Sequence, residues 1–363
     1  ASICRDNGLQ SYLTLNITLY DNDLAEMRRM VDVAVESKIS AIIASDIAAI
    51  EYARSRGMEV HISTQSNVSN IEAVKFYSRF ADVVVLAREL NMEQVKAIYD
   101  AIIRDDVRGP AGGLVRIEMF AHGALCMAVS GKCYLSLHQM NSSANRGACL
   151  QPCRRGYVVT EKESGDELEI DNQYIMSPKD LKTIHFLNKM IDAGVRVFKI
   201  EGRARGPEYV KTVCRNYDEA IHAYLNEAFS PERIERWDKS LATVFNRGFW
   251  DGYYLGQRLG EWSANYGSLA TKKKLYIGKV TNYFPNLGVG EFVMETGSLS
   301  LNDEILITGP TTGALQLNVE ELRYDLEPVD KVIKGQRFSM PVPEKVRRND
   351  KLFKMIDALK ANE

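Results

Sequence analysis

The sequence has little of several features that define common classes of protein. Its 363 residues carry a net charge of −2, which gives no reason to expect wholesale binding to nucleic acid or acidic membranes. No apolar run approaches the roughly 18–20 residues needed to cross a bilayer. No charged and then apolar leader ends in a small-residue cleavage site. We therefore predict a cytoplasmic protein without a membrane partner.

Motifs of common catalytic and cofactor sites are also missing. There is no HExxH motif of zinc peptidases and no GxSxG motif of serine hydrolases. No GxGxxG follows the first predicted strand, which weighs against a dinucleotide-binding sheet. The five histidines are dispersed. Cys126 and His122, four residues apart, remain a candidate pair for cysteine–histidine nucleophilic catalysis.

Cysteine is scarce, and six residues are too few for a disulfide scaffold in a chain of this length. Four of them nevertheless follow the spacing C-x6-C-x15-C-x3-C within residues 126–153, here named the cysteine segment: Cys126, Cys133, Cys149 and Cys153. Structural zinc usually uses two tight cysteine pairs, whereas iron–sulfur clusters accept four cysteines at looser spacing. The pattern predicts a metal centre and favours iron–sulfur over zinc. Four reduced, buried cysteines are the alternative.

Strand-like and helix-like patterns alternate through the first part of the chain. The predicted strands are Tyr12–Ile17, Ser40–Ala44, Glu59–Ser63, Asp82–Ala87, Leu114–Phe120 and Val195–Ile200. This alternation is typical of an α/β protein with a parallel sheet covered by helices. Six strands are two short of a closed (β/α)₈ barrel. The chain starts at Ala1, close to its first strand, so we expect more sequence upstream in the natural protein.

The leading prediction is therefore a TIM-like barrel that lacks its first two βα units, with an open six-stranded sheet as the alternative. Residues 1–230 form this βα domain, and residues 121–178 form a cysteine-rich insertion within it, far longer than a usual βα loop. A hairpin is predicted inside the insertion, with strands at Tyr157–Thr160 and Leu168–Ile170. Residues 231–268 are predicted to be a helical, aromatic-rich linker. Short, regularly spaced strands in residues 269–363 predict a small all-β barrel.

Polar side chains gather at the predicted carboxyl ends of the strands, where parallel barrels build their sites. Glu118, His122 and Glu201 are candidates for acid–base catalysis. Guanidinium groups bind carboxylates bidentately, so Arg88 and Arg203 are candidates for holding a carboxylate substrate. Further candidates for substrate binding are Gln65, Lys199 and Arg205. A network of structural salt bridges is the alternative for each of them.

Local runs of basic residues offer contacts for an anionic polymer. Arg205 lies beside the predicted start of a helix, where anions bind favourably. Arg154, Arg155 and the run Lys272–Lys274 extend the basic character. These residues are candidates for a path of RNA phosphates, and a solvated charged face is the alternative.

Several motifs carry a resemblance to a known family. They are Glu118-Met-Phe-Ala-His-Gly-Ala-Leu-Cys126, Asn145-Arg-Gly-Ala-Cys149, His61-Ile-Ser-Thr-Gln-Ser-Asn67 and Phe198-Lys-Ile-Glu-Gly-Arg203. The chain resembles the collagenase-like peptidases of unknown mechanism (class U, family 32) over nearly its whole length.

The resemblance implies several activities. Some members of the family are implied to be RNA hydroxylases, including a prephenate-dependent branch that makes 5-hydroxyuridine in tRNA, and others act on ribosomal RNA or in ubiquinone synthesis. It also implies a 4Fe-4S cluster on the four cysteines, with Cys214 as an alternative ligand. Four cysteines in one loop suit ligation better than a single nucleophile. We therefore expect a tRNA uridine hydroxylase with prephenate as co-substrate; a collagenase-like peptidase and an accessory protein with a structural cluster are the alternatives.

Overall fold

The computed structural model describes residues 1–165, 167–168, 176–257, 260–263 and 267–358. The chain divides into two units. The first unit comprises residues Ala1–Glu201, Tyr224–Phe229 and Arg247–Gly267, and the second comprises Gly202–Ala223, Ser230–Asn246 and Ser268–Glu363. The predicted domain boundaries stay a prediction.

Strands and helices alternate in the first unit. Its strands are β1 (Tyr12–Leu15), β2 (Ala41–Ala44), β3 (Glu59–Ile62), β4 (Val83–Val85), β5 (Arg116–Gly123), β6 (Val159–Thr160), β7 (Glu167–Leu168), β8 (Asp180–Lys182), β9 (Val195–Ile200) and β10 (Phe249–Trp250). Its helices are α1 (Ser2–Asp6), α2 (Leu24–Glu36), α3 (Ile47–Ser55), α4 (Ile71–Tyr77), α5 (Met92–Arg104), α6 (Leu135–Met140) and α7 (Leu187–Asp192). Helices α8 (Pro207–Leu225) and α9 (Pro231–Ala242) follow.

Burial explains why the first strands are apolar throughout. Strands β1 to β5 pair in parallel in chain order, and β9 pairs in parallel with β5. All three residues of Val83–Val85 are buried, as expected when helices cover both faces of a parallel sheet. Helix α5 shows the matching pattern. Asn91 and Gln94 form a capping box at its start, and Val95, Ile98 and Ile102 lie on its buried face.

The six predicted strands are all present, and the α/β class is confirmed. Two further strands join the sheet: β8 pairs antiparallel with the end of β5, and β10 pairs in parallel with β8. Strand β10 lies inside the stretch predicted to be a linker. Closing a barrel requires the outer strands to pair with each other. Among the described residues β1 pairs with β2 alone and β9 pairs with β5 alone, so the predicted TIM-like barrel is not found.

The predicted hairpin in the insertion is present, because β6 and β7 pair antiparallel. The predicted end of its second strand, at residues 169–170, lies outside the described residues. Across the part of the chain that is described, no helix is long and apolar enough to cross a bilayer.

An antiparallel sheet dominates the second unit. Its strands are β11 (Lys272–Phe284), β12 (Val289–Met294), β13 (Ser298–Ser300), β14 (Glu304–Gly309), β15 (Gly313–Asn318), β16 (Arg323–Tyr324), β17 (Glu327–Pro328), β18 (Lys331–Ile333), β19 (Arg337–Pro341) and β20 (Lys351–Asp357). Eight of them pair in the order β15-β14-β20-β11-β12-β19-β16-β17, while β13 pairs with β18. Phe292 and Phe338 stack 5.3 Å apart in its core. The path of paired strands is open in residues 267–358, so the predicted closed β-barrel is not confirmed.

Two glycines with similar backbones provide a matched test of packing in the first unit. Gly194 (φ +94°) joins α7 to β9, and a Cβ there would lie 2.0 Å from Cγ of Tyr99. Gly57 (φ +76°) has open space at the same position. We expect Gly57→Ala to lower the free energy of unfolding by about 1–2 kcal/mol through backbone strain alone. Gly194→Ala adds the displacement of a packed ring, costing about 1–3 kcal/mol more. Urea unfolding measures both, and equal losses would contradict the packing at Tyr99.

Candidate functional site

The cysteine segment lies over the carboxyl ends of β1 and β3. A Cβ at Gly131 would lie 2.8 Å from Cγ of Gln65, so this glycine allows the segment to pack against the residue that follows β3. The amide of Thr18, just after β1, donates to the carbonyl of Asn145 at 3.0 Å. The segment is thus held at the edge where parallel strands present their functional side chains.

A cation on the segment binds residues that follow β1. Arg146 donates to Asp23 at 2.7 Å and 3.1 Å, and its guanidinium lies 4.2 Å from the ring centre of Tyr20. The hydrogen bonds from Arg146 lower the pKa of Asp23 to about 2. The pair is therefore charged throughout the ordinary pH range and anchors the segment.

Polar groups beneath the segment form a connected network. Asn16 donates to Ser63 Oγ at 3.0 Å, and Ser45 Oγ donates to the carbonyl of Asn16 at 3.2 Å and to Gln65 Oε1 at 3.0 Å. These residues follow β1, β2 and β3. The network fixes the side chain of Gln65, one of the predicted substrate-binding residues.

The four clustered cysteines are reduced, and the electrostatics of one reports on the other three. Cys126 and Cys149 are exposed, whereas Cys133 and Cys153 are half-buried. Burial raises the pKa of the Cys153 thiol, Arg154 opposes the rise, and the other three cysteines add to it. The other three sulfur atoms therefore lie within electrostatic range of the Cys153 sulfur.

The guanidinium of Arg154 supplies a positive charge beside the clustered cysteines. It is largely buried, and burial lowers its pKa. It donates to the carbonyls of Leu125 at 2.5 Å and Pro178 at 2.6 Å. Four thiols beside a guanidinium fit a thiolate-ligated cluster in donor type and in charge. Within the described residues, however, no group of three or more His, Cys, Asp or Glu side chains is arranged to hold a metal ion. Metal binding at Cys126, Cys133, Cys149 and Cys153 stays a prediction.

A buried charged group joins side chains from β3, β5 and β9 of the sheet. Glu118 on β5 is 4% exposed, and its Oε1 lies 2.8 Å from Nζ of Lys199 on β9. Its Oε2 lies 3.7 Å from Nδ1 of His61 on β3, which is longer than an ordinary hydrogen bond. Burial by itself raises the pKa of Glu118, but His61 and Lys199 outweigh it and hold the pKa below its ordinary value. Glu118 is thus a carboxylate at neutral pH.

The sequence predicted Glu118 and Lys199 but missed His61. His61 is 2% exposed, and its Nε2 lies 3.1 Å from Oε1 of Glu59. Its place inside an apolar strand was the available signal, because a histidine there needs polar partners from neighbouring strands.

His122 and Glu201 lie on adjacent strand ends. The amide of Glu201 donates to the carbonyl of His122 at 2.8 Å. The ring of His122 is buried, 5.6 Å from that of Phe249. The structure thus brings the predicted catalytic residues to neighbouring backbone positions.

The predicted substrate-binding residues divide between the two units. In the first unit, the Arg88 guanidinium lies 3.6 Å from the ring centre of Phe120 and donates to the carbonyl of Ala124 at 3.3 Å. Arg203 and Arg205 belong to the second unit. There the Arg205 guanidinium lies 3.8 Å from the ring centre of Phe245. Cys214, the alternative ligand, lies on α8 in the second unit.

Removing Lys199 tests the buried charged group. We expect Lys199→Met to lower the free energy of unfolding at pH 7 by about 2–3 kcal/mol, between the values for fully buried and exposed pairs. In the wild type the lowered pKa of Glu118 contributes stability above its ordinary value of 4.5, and this is lost as pH falls through the folded-state pKa. In Lys199→Met, burial dominates and the pKa of Glu118 rises. The loss of stability relative to the wild type therefore shrinks as pH falls. Urea unfolding between pH 4 and 8 measures this.

The double variant Glu118→Gln/Lys199→Met is the control for the buried charge. It removes both charges, so its loss of stability should not depend on pH above about 4.5, where Glu118 of the wild type is ionised in both the folded and the unfolded state. A Lys199→Met loss that is equally independent of pH above this value would contradict the ion pair.

Removing the charge of Asp23 tests the anchor of the cysteine segment. Asp23→Asn deprives Arg146 of its carboxylate, and we expect trypsin to cleave within residues 126–153 roughly threefold faster under native conditions. Glu26→Gln is the matched control, because Glu26 pairs with Arg29 on the exposed face of α2. Equal cleavage rates in Asp23→Asn and the wild type would show that other contacts hold the segment.

Comparison with known proteins places this site in a family. The model of peptidase family U32 matches residues 1–264. Two proteins of Porphyromonas gingivalis named collagenase are 68% and 62% identical; each match covers 98% of this chain, and 86% and 97% of the relative. A tRNA hydroxylation protein of Bacillus subtilis is 33% identical over 76% of this chain and 64% of its own length. With this identity and the family motifs around a shared strand edge, the chain belongs to peptidase family U32.

Proposed function

We propose that this protein is a peptidase that cleaves collagen-like chains such as gelatin. The observation that carries the proposal is the 68% identity, over 98% of this chain, to a protein named collagenase. The matched part of the chain includes the strands and loops that carry the candidate site. The alternative considered from the sequence is thus better supported than hydroxylation of tRNA.

Peptide hydrolysis needs a base for the attacking nucleophile and an acid for the leaving amine. We assign these roles to Glu201 and His122, which the backbone hydrogen bond between β5 and β9 holds side by side. Glu118 is a fixed carboxylate that Lys199 and His61 position nearby. Gln65, Arg88 and Lys199 in the first unit, with Arg203 and Arg205 in the second, are the proposed contacts to substrate.

We further propose that Cys126, Cys133, Cys149 and Cys153 hold an iron–sulfur cluster, of the 4Fe-4S type that the family resemblance implies. The support is that three thiols lie within electrostatic range of Cys153, and that Arg154 lies within range of Cys153 and Cys126. When bound, such a cluster would supply electron transfer or fix the fold of the segment. Six cysteines are too few for a disulfide scaffold, and thiolate ligands suit a reducing compartment, so we propose a cytoplasmic location.

Hydroxylation of a tRNA uridine, with prephenate as co-substrate, is the second candidate. It is favoured by the same four thiols and by the 33% identity to a tRNA hydroxylation protein. In this case Arg88 would bind a carboxylate of prephenate, because a guanidinium matches carboxylate geometry. Arg203 and Arg205 would contact tRNA phosphates.

Gelatin cleavage by purified protein tests the first candidate. We expect wild-type protein to cleave gelatin and Glu201→Gln to slow the rate by about 10²–10⁴-fold, the usual contribution of a general acid–base group. Glu227→Gln is the matched control, because Glu227 lies at the end of α8 and outside the candidate site. If pure wild-type protein leaves gelatin intact while tRNA from a deletion strain loses 5-hydroxyuridine, the second candidate replaces the first.

Metal content tests the cluster. Anaerobically purified protein should contain iron and acid-labile sulfide, and Cys153→Ala should lose both. Cys214→Ala is the control and should retain them if the four clustered cysteines are the ligands. Stoichiometric zinc without iron would reject the cluster, and loss of iron in Cys214→Ala would make Cys214 a ligand.

A further inference from the structure

A cavity of about 470 Å³ in the first unit is bounded by the loop after β4, the start of the cysteine segment and the stretch after β10. Arg88 and Glu89 contribute opposite charges to its wall, and Gln257 lies in the same lining.

Two polar atoms of this lining are buried and have no partner among the described residues: Nε of Arg88 and Oε1 of Gln257. One is a donor and the other is an acceptor. Leaving such groups unsatisfied costs about 1–3 kcal/mol each, so native structures usually pair them with protein, water or a ligand. One other polar atom of each side chain has a partner, since Arg88 Nη1 donates to the carbonyl of Ala124 at 3.3 Å and Gln257 Nε2 donates to Asp251 at 3.5 Å. The two side chains are thus oriented.

The charges in the wall restrict the ligand. A carboxylate satisfies the Arg88 guanidinium, which is confined against the ring of Phe120. A dicarboxylate would bring a second negative charge towards Glu89. A ligand with both a carboxylate and an ammonium avoids this conflict, because the ammonium can donate to Gln257 Oε1 and attract Glu89.

The cysteine segment and the residue before it supply the apolar part of the wall, through Leu125, Met127 and Val129. Met127 and Val129 are exposed large apolar side chains, and an apolar ligand group would cover them. The volume is that of a small-molecule site. We propose that this cavity binds a free apolar L-α-amino acid, with its carboxylate on Arg88, its ammonium on Gln257 and Glu89, and its side chain against Leu125, Met127 and Val129.

Calorimetric titration of the wild-type protein with L-phenylalanine tests the site, and binding needs no turnover, so the result is independent of the proposed peptidase reaction. Three analogues dissect the recognition: 3-phenylpropionate lacks the ammonium, phenethylamine lacks the carboxylate, and succinate is a dicarboxylate. We expect L-phenylalanine to bind and each analogue to bind about tenfold or more weakly, the effect of losing one charged hydrogen bond. No binding of L-phenylalanine at 10 mM, or equal binding of 3-phenylpropionate or succinate, would overturn the proposal.

Substitutions in the wall assign the binding to this cavity. Gln257→Leu should weaken L-phenylalanine binding by about tenfold, because it removes the acceptor with little change in volume. Arg88→Lys keeps the charge but loses the planar donor geometry, and we expect a similar loss. Gln316→Leu, at an exposed glutamine of β15 in the second unit, is the matched control. If Gln257→Leu binds L-phenylalanine with wild-type affinity, the ligand lies elsewhere. Should Arg88→Lys fail to fold, the result for Gln257→Leu alone decides the question.

Discussion

The buried charge of Glu118 is the constraint around which the centre of the first unit is organised. A carboxylate that is 4% exposed needs compensation from several sides, and it receives it from strands on either side of β5. Lys199 comes from β9 and His61 from β3, so three strands must keep their register for the charge to remain satisfied. The carboxyl ends of these strands are thereby fixed relative to one another. His122 lies four residues beyond Glu118, and Glu201 lies two residues beyond Lys199. The same alignment of strands therefore fixes their backbone positions.

The sequence predicted the strands of this unit well because burial on both faces leaves a strong apolar signal. Val83–Val85 and Ala41–Ala44 cannot be mistaken for surface segments. Strands β8 and β10 were missed for the opposite reason. They contain three and two residues, and so short a stretch shows no periodicity. Strand β8 joins the sheet by pairing with β5 across the insertion, and β10 joins by pairing with β8. Both are long-range contacts that the local sequence does not determine.

The same distinction applies to the candidate site. Strand ends were predictable, so Glu118, His122, Lys199 and Glu201 were found by position alone. Their pairing was not, since Glu118 and Lys199 are separated by 81 residues. Gln257 was missed because it lies in a stretch predicted to be a linker, and only the folded chain brings it to the cavity beside Arg88. Whether a sheet closes into a barrel is decided by pairing between its outer strands, which the pattern of each separate strand cannot report.

Arg154 shows how the insertion is tied to the sheet. Its guanidinium binds the carbonyl of Leu125, one residue before Cys126, and the carbonyl of Pro178, at the other end of the insertion. A single side chain therefore closes a loop of more than 50 residues at its base, while lying next to Cys153 in sequence. Closing a loop of this length opposes chain entropy, and a buried cation with carbonyl partners offsets part of that cost. The charge that would compensate thiolates is thus also the group that ties together the two ends of the insertion. Positioning of the cysteines and closure of the insertion consequently depend on the same residue.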